Sequence, residues 1–239
     1  SPFDHTAVEF LEAMDVPAYK VASFEIVDIP LLHRIALTGK PVIMSTGMAT
    51  LAEIDEAVRN LCEAGNSQLA LLKCTSAYPA PVEEMNLRTI PHLAEAFGYP
   101  VGLSDHTLGT AVPIAAVALG ACIIEKHFTL DKTLPGPDQS SSYDPEEFSR
   151  LVVSIRNAEK VLGSARKEPC EIEKINAEGM RRSIVARNFI SEGTVITEEM
   201  LTFKRPGTGI PVELLSLIMG RKTRRNLPED KVIHFSDLE

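Results

Sequence analysis

The chain has 239 residues, of which 44% are apolar and 24% are charged, and its formal net charge is −9. These values are typical of a globular protein with a large core, and they exclude a disordered chain or a disulfide-stapled miniprotein. The acidic excess lies in residues 1–169, which argues against a nucleic-acid partner, and no apolar run has the roughly 18 residues that a membrane helix needs.

Apolar segments of strand length alternate with amphipathic segments of helix length. The strand candidates are residues 18–23, 41–45, 69–74, 101–104 and 121–127, and the helical patterns lie near 29–38, 50–64, 86–97, 110–119 and 145–162. Strands without polar alternation are buried on both faces, and the spacing between them leaves room only for crossover helices. The pattern therefore predicts an α/β fold with a parallel sheet.

Polar residues follow each of the five strand candidates. They are Ser23-Phe24-Glu25, Ser45-Thr46-Gly47, Thr75-Ser76, Ser104-Asp105-His106 and Glu125-Lys126-His127. The C-terminal ends of the strands in a (β/α)8 barrel converge on one mouth, whereas a doubly wound sheet concentrates its site at one switch point. Five polar strand ends favour the barrel. A closed barrel has eight strands, however, and only five are recognisable in this sequence.

The pattern changes after Gly163 to short strand-like pieces with frequent turns. We expect residues 1–163 to form the partial barrel, residues 164–180 a polar linker, and residues 181–239 a small β-rich domain with balanced charge. The four cysteines are far apart and form no CxxC motif, which indicates reduced thiols and a cytoplasmic protein.

Two histidines, His106 and His127, each end an apolar strand. If the two strands are neighbours, the two imidazoles can share one divalent metal ion, with a carboxylate, water or substrate as the remaining ligands. The alternative is that each is a core histidine satisfied by a hydrogen bond.

Other side chains near the strand ends suit an anionic ligand. Lys20 lies on the face opposite Ser23 if the strand stays regular, and a buried lysine must meet a core carboxylate or an anionic group of a ligand. Glu25 can bind a substrate hydroxyl or transfer a proton. Asp138 either stabilises a turn or has a functional role at the mouth of the barrel. Hydroxyls that suit phosphate oxygens belong to Ser23, Ser45, Ser76 and Ser104. Since no dinucleotide, P-loop or serine-hydrolase motif occurs, these residues predict a metal-assisted, anion-binding face without specifying its reaction.

Six ordered segments resemble the sialic acid synthase family. They are Ala18–Glu25, Ser45–Met48, Lys73–Pro79, Gly102–Thr107, Glu125–Phe128 and Gly136–Asp138. Residues 180–239, with the segment Arg205–Ile210, resemble the antifreeze-like (SAF) domain that ends those enzymes. The resemblance covers essentially the whole chain. It implies a (β/α)8 TIM barrel that lacks its first three βα units, because Ser1-Pro2-Phe3 resembles the end of the third strand in that family.

The resemblance implies a cytoplasmic transferase of sialic acid and polysaccharide biosynthesis. Such an enzyme condenses phosphoenolpyruvate with an N-acylated amino sugar in its aldehyde form, giving a nine-carbon nonulosonic acid and phosphate. It uses a divalent ion, most commonly Mn2+, with Mg2+ or Co2+ as alternatives, held at the positions of His106 and His127 to polarise the aldehyde. The implied assembly is a domain-swapped homodimer.

The resemblance also assigns individual residues. The positions that hold phosphoenolpyruvate are matched by Ser1, Lys20, Ser23, Ser45 and Ser104, and the lining of the same pocket by Ser76 and Tyr78. Glu25 and Asp138 match positions at the sugar, and Arg205 matches a residue that reaches the other subunit's sugar site. Many relatives carry Asn where this chain has Ser76.

The sugar branch stays open at this stage. Ser23-Phe24-Glu25 is similar to the pseudaminic acid synthases, whereas Arg205–Ile210 looks more like the sialic and legionaminic branches. The alternatives are another phosphoenolpyruvate-dependent, aldose-condensing barrel and a carbohydrate- or ice-binding module. We expect little synthase activity from the 239-residue chain alone, because an open five-stranded sheet lacks three strands of barrel wall.

Overall fold

Five parallel strands form one sheet in the order in which they occur along the chain. In the computed structural model, which describes residues 1–239, they are β1 (Tyr19–Val21), β2 (Val42–Ser45), β3 (Leu69–Cys74), β4 (Val101–Asp105) and β5 (Ile124–Lys126). The order β1-β2-β3-β4-β5 has no reversal, so the sheet lacks the switch point of a doubly wound fold. This confirms the predicted α/β class and the barrel-like arrangement of its strands.

Six helices accompany this sheet. They are α1 (His5–Ala13), α2 (Ile29–Ala36), α3 (Leu51–Glu63), α4 (Thr89–Phe97), α5 (Ala111–Ala118) and α6 (Pro145–Leu162). Apolar side chains from α1 to α5 pack with the strands in one continuous core. Two helix starts have the predicted capping boxes, Thr50 with Glu53 and Asp144 with Glu147. These caps satisfy backbone donors that the first helical turn leaves free.

The secondary structure differs from the sequence-based expectation in several places. Helix α1 was not predicted; it begins at the N-cap Asp4, whose carboxylate accepts a hydrogen bond of 2.7 Å from the backbone of Ala7. Strand β5 has three residues rather than seven. The stretch 164–180, expected as a linker, contains helix α7 (Glu171–Met180), whose first turn carries two acidic residues and so suits the helix dipole.

The chain divides into two compact units, residues 1–163 and 164–239. The second unit contains α7, the antiparallel pair β6 (Ser183–Ala186) and β7 (Leu201–Lys204), and the short helix α8 (Leu215–Ile218). Its separate core is formed by aliphatic side chains such as Ile184, Ile196 and Leu227. No helix in either unit has the length and apolar character needed to cross a bilayer.

Candidate active site

The C-terminal ends of the five parallel strands surround one cavity of about 230 Å3. Its lining residues are Ser1, Lys20, Ala22, Ser23, Ser45, Cys74, Tyr78, Ser104, His106, Glu125 and His127. Eight of these were predicted from the sequence as site residues. Parallel strands place their C-terminal ends at the same edge of a sheet, which is why residues more than 100 positions apart meet here.

Lys20 and Ser23 line the same cavity, although regular strand alternation would put them on opposite faces. The reason is that β1 ends at Val21 and a 3-10 turn follows over Ser23–Glu25, so Ser23 does not continue the pleat. The Lys20 ammonium lies 3.6 Å from the carboxylate of Glu125 and donates a hydrogen bond of 2.8 Å to the carbonyl oxygen of Val21. Burial lowers the pKa of Lys20, and the attraction of Glu125 opposes this.

Glu125 was not predicted as a separate site residue. Besides pairing with Lys20, its carboxylate accepts a hydrogen bond of 2.7 Å from the Ser104 hydroxyl. It therefore joins two of the predicted anion-binding groups. The available signal was its position, because it immediately precedes Lys126-His127 at the end of β5.

Two serine hydroxyls, those of Ser23 and Ser76, lie close to Gly47, just after β2. The Ser23 hydroxyl accepts a hydrogen bond of 3.0 Å from the backbone of Gly47. An added Cβ at Gly47 would collide with the Ser76 hydroxyl and would stand 2.8 Å from that of Ser23, so glycine alone permits this close approach. The Ser45 hydroxyl is buried and has no hydrogen-bond partner. Buried polar atoms are almost always paired in native proteins, so Ser45 has an unused capacity for a ligand.

Replacing Gly47 with alanine is expected to destabilise the protein by about 1–3 kcal/mol, because the new methyl group overpacks the site. Thermal denaturation followed by circular dichroism measures the change. The matched control is Gly179→Ala in α7, where an added Cβ meets no atom within 4 Å and where the helix should gain stability. Equal stability of Gly47→Ala and the wild type would contradict the close packing described here.

The two predicted metal ligands face each other. The ring centroids of His106 and His127 are 5.0 Å apart, with an interplanar angle of 86°. The Tyr78 ring packs against both, with centroid distances of 4.2 Å to His106 and 5.6 Å to His127. Burial lowers the pKa of His127, and the neighbouring His106 adds to this effect. Burial also lowers the pKa of His106, but hydrogen bonds with Cys74 and with the Thr75 carbonyl outweigh burial and leave it raised.

The contacts of the two Nδ1 atoms, a hydrogen bond at His106 and a longer carboxylate contact at His127, indicate which ring nitrogen is free. His106 Nδ1 lies 3.0 Å from the carbonyl oxygen of Thr75, and a carbonyl oxygen can only accept, so Nδ1 carries the proton. His127 Nδ1 lies 3.7 Å from the carboxylate of Asp138, which favours the same tautomer. In its neutral form each ring then keeps a lone pair on Nε2. The two rings can supply two nitrogen ligands to one metal ion, but no group of three or more His, Cys, Asp and Glu side chains is arranged to hold one.

Cys74, at the end of β3, is a second lining residue that sequence reasoning missed. Its Sγ lies 4.0 Å from His106 Nδ1 and 3.9 Å from the Ser76 hydroxyl. Burial raises the pKa of the thiol, but hydrogen bonds with His106 and Ser23 outweigh burial and bring it to about 7. Its position in an apolar strand suggested only a packing role, because a cysteine in such a strand is typically a packing residue.

The remaining predicted residues lie beside the cavity or in the other unit. Glu25 lies in the 3-10 turn after β1, and its Oε2 is buried without a hydrogen-bond partner. The Ser76 hydroxyl lies beside Gly47, and the Asp138 carboxylate lies 3.7 Å from His127 Nδ1. Arg205 belongs to the second unit, where its Nε donates to the carbonyl oxygen of Met180 at 2.8 Å.

Comparison with known proteins gives consistent matches over both units. The NeuB family model matches residues 1–167, and the SAF domain model matches residues 181–239. The chain is 42% identical over 235 residues to N,N'-diacetyllegionaminic acid synthase of Campylobacter jejuni, covering 98% of this chain and 70% of that protein. It is 39% identical over 241 residues to pseudaminic acid synthase of Helicobacter pylori, covering 100% of this chain and 70% of that protein.

A solved structure gives the same match. The crystal structure of N-acetylneuraminic acid synthetase from Leptospira borgpetersenii is 38% identical, with a TM-score of 0.68, and the match covers 74% of this chain and 62% of that one. At this identity the similarity extends beyond the shape of the fold.

Proposed function

The chain belongs to the NeuB family, and from this premise we propose that it carries the active site of a nonulosonic acid synthase. In the proposed reaction, C3 of phosphoenolpyruvate bonds to the aldehyde carbon of an N-acylated amino sugar. The aldehyde oxygen takes a proton, water adds at C2, and inorganic phosphate leaves. The observation that carries the proposal is that a lysine, serine hydroxyls and two imidazoles from different strand ends line one cavity.

Phosphoenolpyruvate has two anionic groups, and the site offers matching donors. The ammonium of Lys20 supplies the positive charge, while the hydroxyls of Ser23 and Ser104 can donate to phosphate or carboxylate oxygens. The unpaired hydroxyl of Ser45 would gain its missing partner from the same ligand. Ser1 and Ser76 complete the proposed set of hydroxyl groups.

The amino sugar would lie on the side of the two histidines. His106 and His127 would hold a divalent ion, with Mn2+ the first choice, which would act as a Lewis acid toward the aldehyde. Glu25 has an unpaired, buried carboxylate oxygen that suits a sugar hydroxyl or a proton-transfer step. Asp138, whose carboxylate lies 3.7 Å from His127 Nδ1, would help to orient that ring and would accept a hydrogen bond from the sugar.

A direct assay tests the proposed reaction. The chain, and any longer polypeptide that contains it, is incubated with phosphoenolpyruvate, Mn2+ and one sugar at a time: N-acetylmannosamine, a 2,4-diacetamido mannose-type sugar, or an altrose-type sugar. Phosphate release together with a product of the expected mass supports the proposal and identifies the sugar branch. Absence of phosphate release with every sugar and every polypeptide would overturn it, and turnover with simple aldose phosphates would favour a different condensing enzyme.

Replacing Lys20 with methionine is expected to weaken phosphoenolpyruvate binding by about 10- to 100-fold, because one charge-assisted hydrogen bond contributes about 1.5–3 kcal/mol. Isothermal titration calorimetry measures the affinity. The matched control is Lys73→Met, which removes a buried lysine that donates to the Thr75 hydroxyl and does not line the cavity. Equal weakening in both variants would mean that Lys20 acts only through general charge or stability.

We also propose that the protein is cytoplasmic and forms a domain-swapped homodimer in which Arg205 serves the partner subunit's sugar site. The support is the pair of family matches over both units and the presence of four free cysteines, which suit a reducing compartment. The molecular mass in solution, measured by light scattering, tests the dimer.

A further inference from the structure

A fully buried ion pair lies directly behind the two histidines. Asp105 and Lys126 are cross-strand partners in β4 and β5, with Asp105 Oδ2 at 2.9 Å from Lys126 Nζ. Their side chains are 0% and 1% exposed. The residues on either side of each, Ser104 and His106 in one segment and Glu125 and His127 in the other, line the cavity. Because side chains alternate along a strand, the ion pair faces away from the ligand, and no step of the proposed reaction uses it.

On the β4 side, the pair fixes the backbone around His106. The Asp105 carboxylate accepts from the backbone N–H of Thr107 at 3.0 Å and from the Thr107 hydroxyl at 2.8 Å. Lys126 Nζ also donates to the carbonyl oxygen of Thr107. The two residues that flank His106 are thus tied to one another and to β5.

On the β5 side, Tyr143 extends the same network to His127. The Lys126 ammonium lies 4.4 Å from the centroid of the Tyr143 ring, which is a cation–π contact. The backbone N–H of Tyr143 donates to the carbonyl oxygen of His127 at 2.9 Å, and its hydroxyl donates to the carbonyl oxygen of Gly109 at 2.7 Å. One buried network therefore contacts the segments that carry both histidines.

Stability alone is a weak explanation for such a pair. Removing two charges from water offsets most of their mutual attraction, and an apolar pair of similar volume is often equally stable or more so. In some proteins a buried polar or ionic group instead selects one arrangement of the elements that it joins. We propose that Asp105 and Lys126 are positioning residues that set the separation of the His106 and His127 rings, and that this separation determines the affinity for the divalent ion. The affinity part rests on the proposed function.

The test uses the double variant Asp105→Leu/Lys126→Met, which removes both charges together and replaces each side chain with an apolar one of similar shape. Three properties are measured on the chain: the far-ultraviolet circular dichroism spectrum, the nuclear Overhauser effect between the ring protons of His106 and His127, and Mn2+ binding by calorimetry. We expect a folded protein that loses the ring-to-ring Overhauser effect and binds Mn2+ about 10- to 100-fold more weakly, as outer-shell changes commonly do. The control variant Glu12→Gln/Lys40→Met removes an ion pair of 3.1 Å elsewhere in the same unit and should change none of the three properties.

The outcomes separate this inference from the proposed function. A folded double variant with an unchanged Overhauser effect, or with Mn2+ affinity within about twofold of wild type, overturns the inference. If wild type does not bind Mn2+ but the variant loses the Overhauser effect, the metal assignment fails while the positioning role stands.

If the double variant does not fold, the same three measurements are made on Asp105→Glu. This variant keeps both charges and lengthens one side chain by a methylene group, so it shifts the pair without removing it. It should bind Mn2+ more weakly than wild type, and unchanged binding overturns the inference. Failure of both variants to fold assigns the pair to stability alone and overturns it as well.

Discussion

Replacing His106 with alanine is expected to lower phosphate release by about 10³-fold, which corresponds to about 4 kcal/mol of transition-state stabilisation. The variant removes one of the two imidazoles that would hold the divalent ion, and one remaining ring is a poor site. It also removes the partner of the Thr75 carbonyl and of the Cys74 thiol. Phosphate release at saturating substrate and Mn2+ measures the effect, in whichever polypeptide containing residues 1–239 turns over.

The matched control for this prediction is His33→Ala. His33 is an exposed residue of α2 and lies outside the cavity, so its variant should retain the rate of the wild type. A His106→Ala variant that keeps more than about a tenth of the wild-type rate would contradict a catalytic role for this imidazole. Calorimetric titration with Mn2+ alone distinguishes loss of metal binding from loss of substrate binding, because only loss of metal binding changes the titration when no substrate is present.

Replacing Leu71 with alanine is expected to lower the free energy of unfolding by about 3–5 kcal/mol. Leu71 lies in the central strand β3, is 0% exposed, and belongs to the core between the sheet and the helices. Its truncation removes buried apolar surface and leaves a cavity in a close-packed interior. Urea denaturation followed by circular dichroism measures the change.

The control for Leu71→Ala is Leu37→Ala. The Leu37 side chain is 59% exposed at the end of α2, so its truncation should change the unfolding free energy by no more than about 0.5 kcal/mol. Equal destabilisation by the two substitutions would contradict the placement of Leu71 in the core.

The strands and most of the helices could be predicted from the sequence because their residue patterns are local. Each of the five strands overlaps its predicted segment, and the capping boxes at Thr50 and Asp144 depend only on residues three positions apart. Helix α1 and the helix α7 within the expected linker were missed. Most of α7 is exposed, so it shows little of the apolar periodicity from which a helix is predicted.

The candidate site was predictable in its residue types but not in its contacts. Strand-end serines and histidines identified the mouth, and the order of six motifs identified the family. The roles of Glu125 and Cys74 depend on neighbours about 20 to 105 positions away along the chain, such as Ser104 and Lys20. A local sequence pattern does not predict contacts between residues so far apart along the chain.

The sequence by itself determined the parallel α/β class, the family, and most of the residues that line the cavity. Only the tertiary structure decided that Lys20 and Ser23 face the same cavity, that Gly47 admits two serine hydroxyls, and that a buried Asp105–Lys126 pair supports the histidines. The physical reason is that residue type and periodicity are properties of a segment. Register, a broken pleat and a shared hydrogen bond are fixed when distant segments pack together.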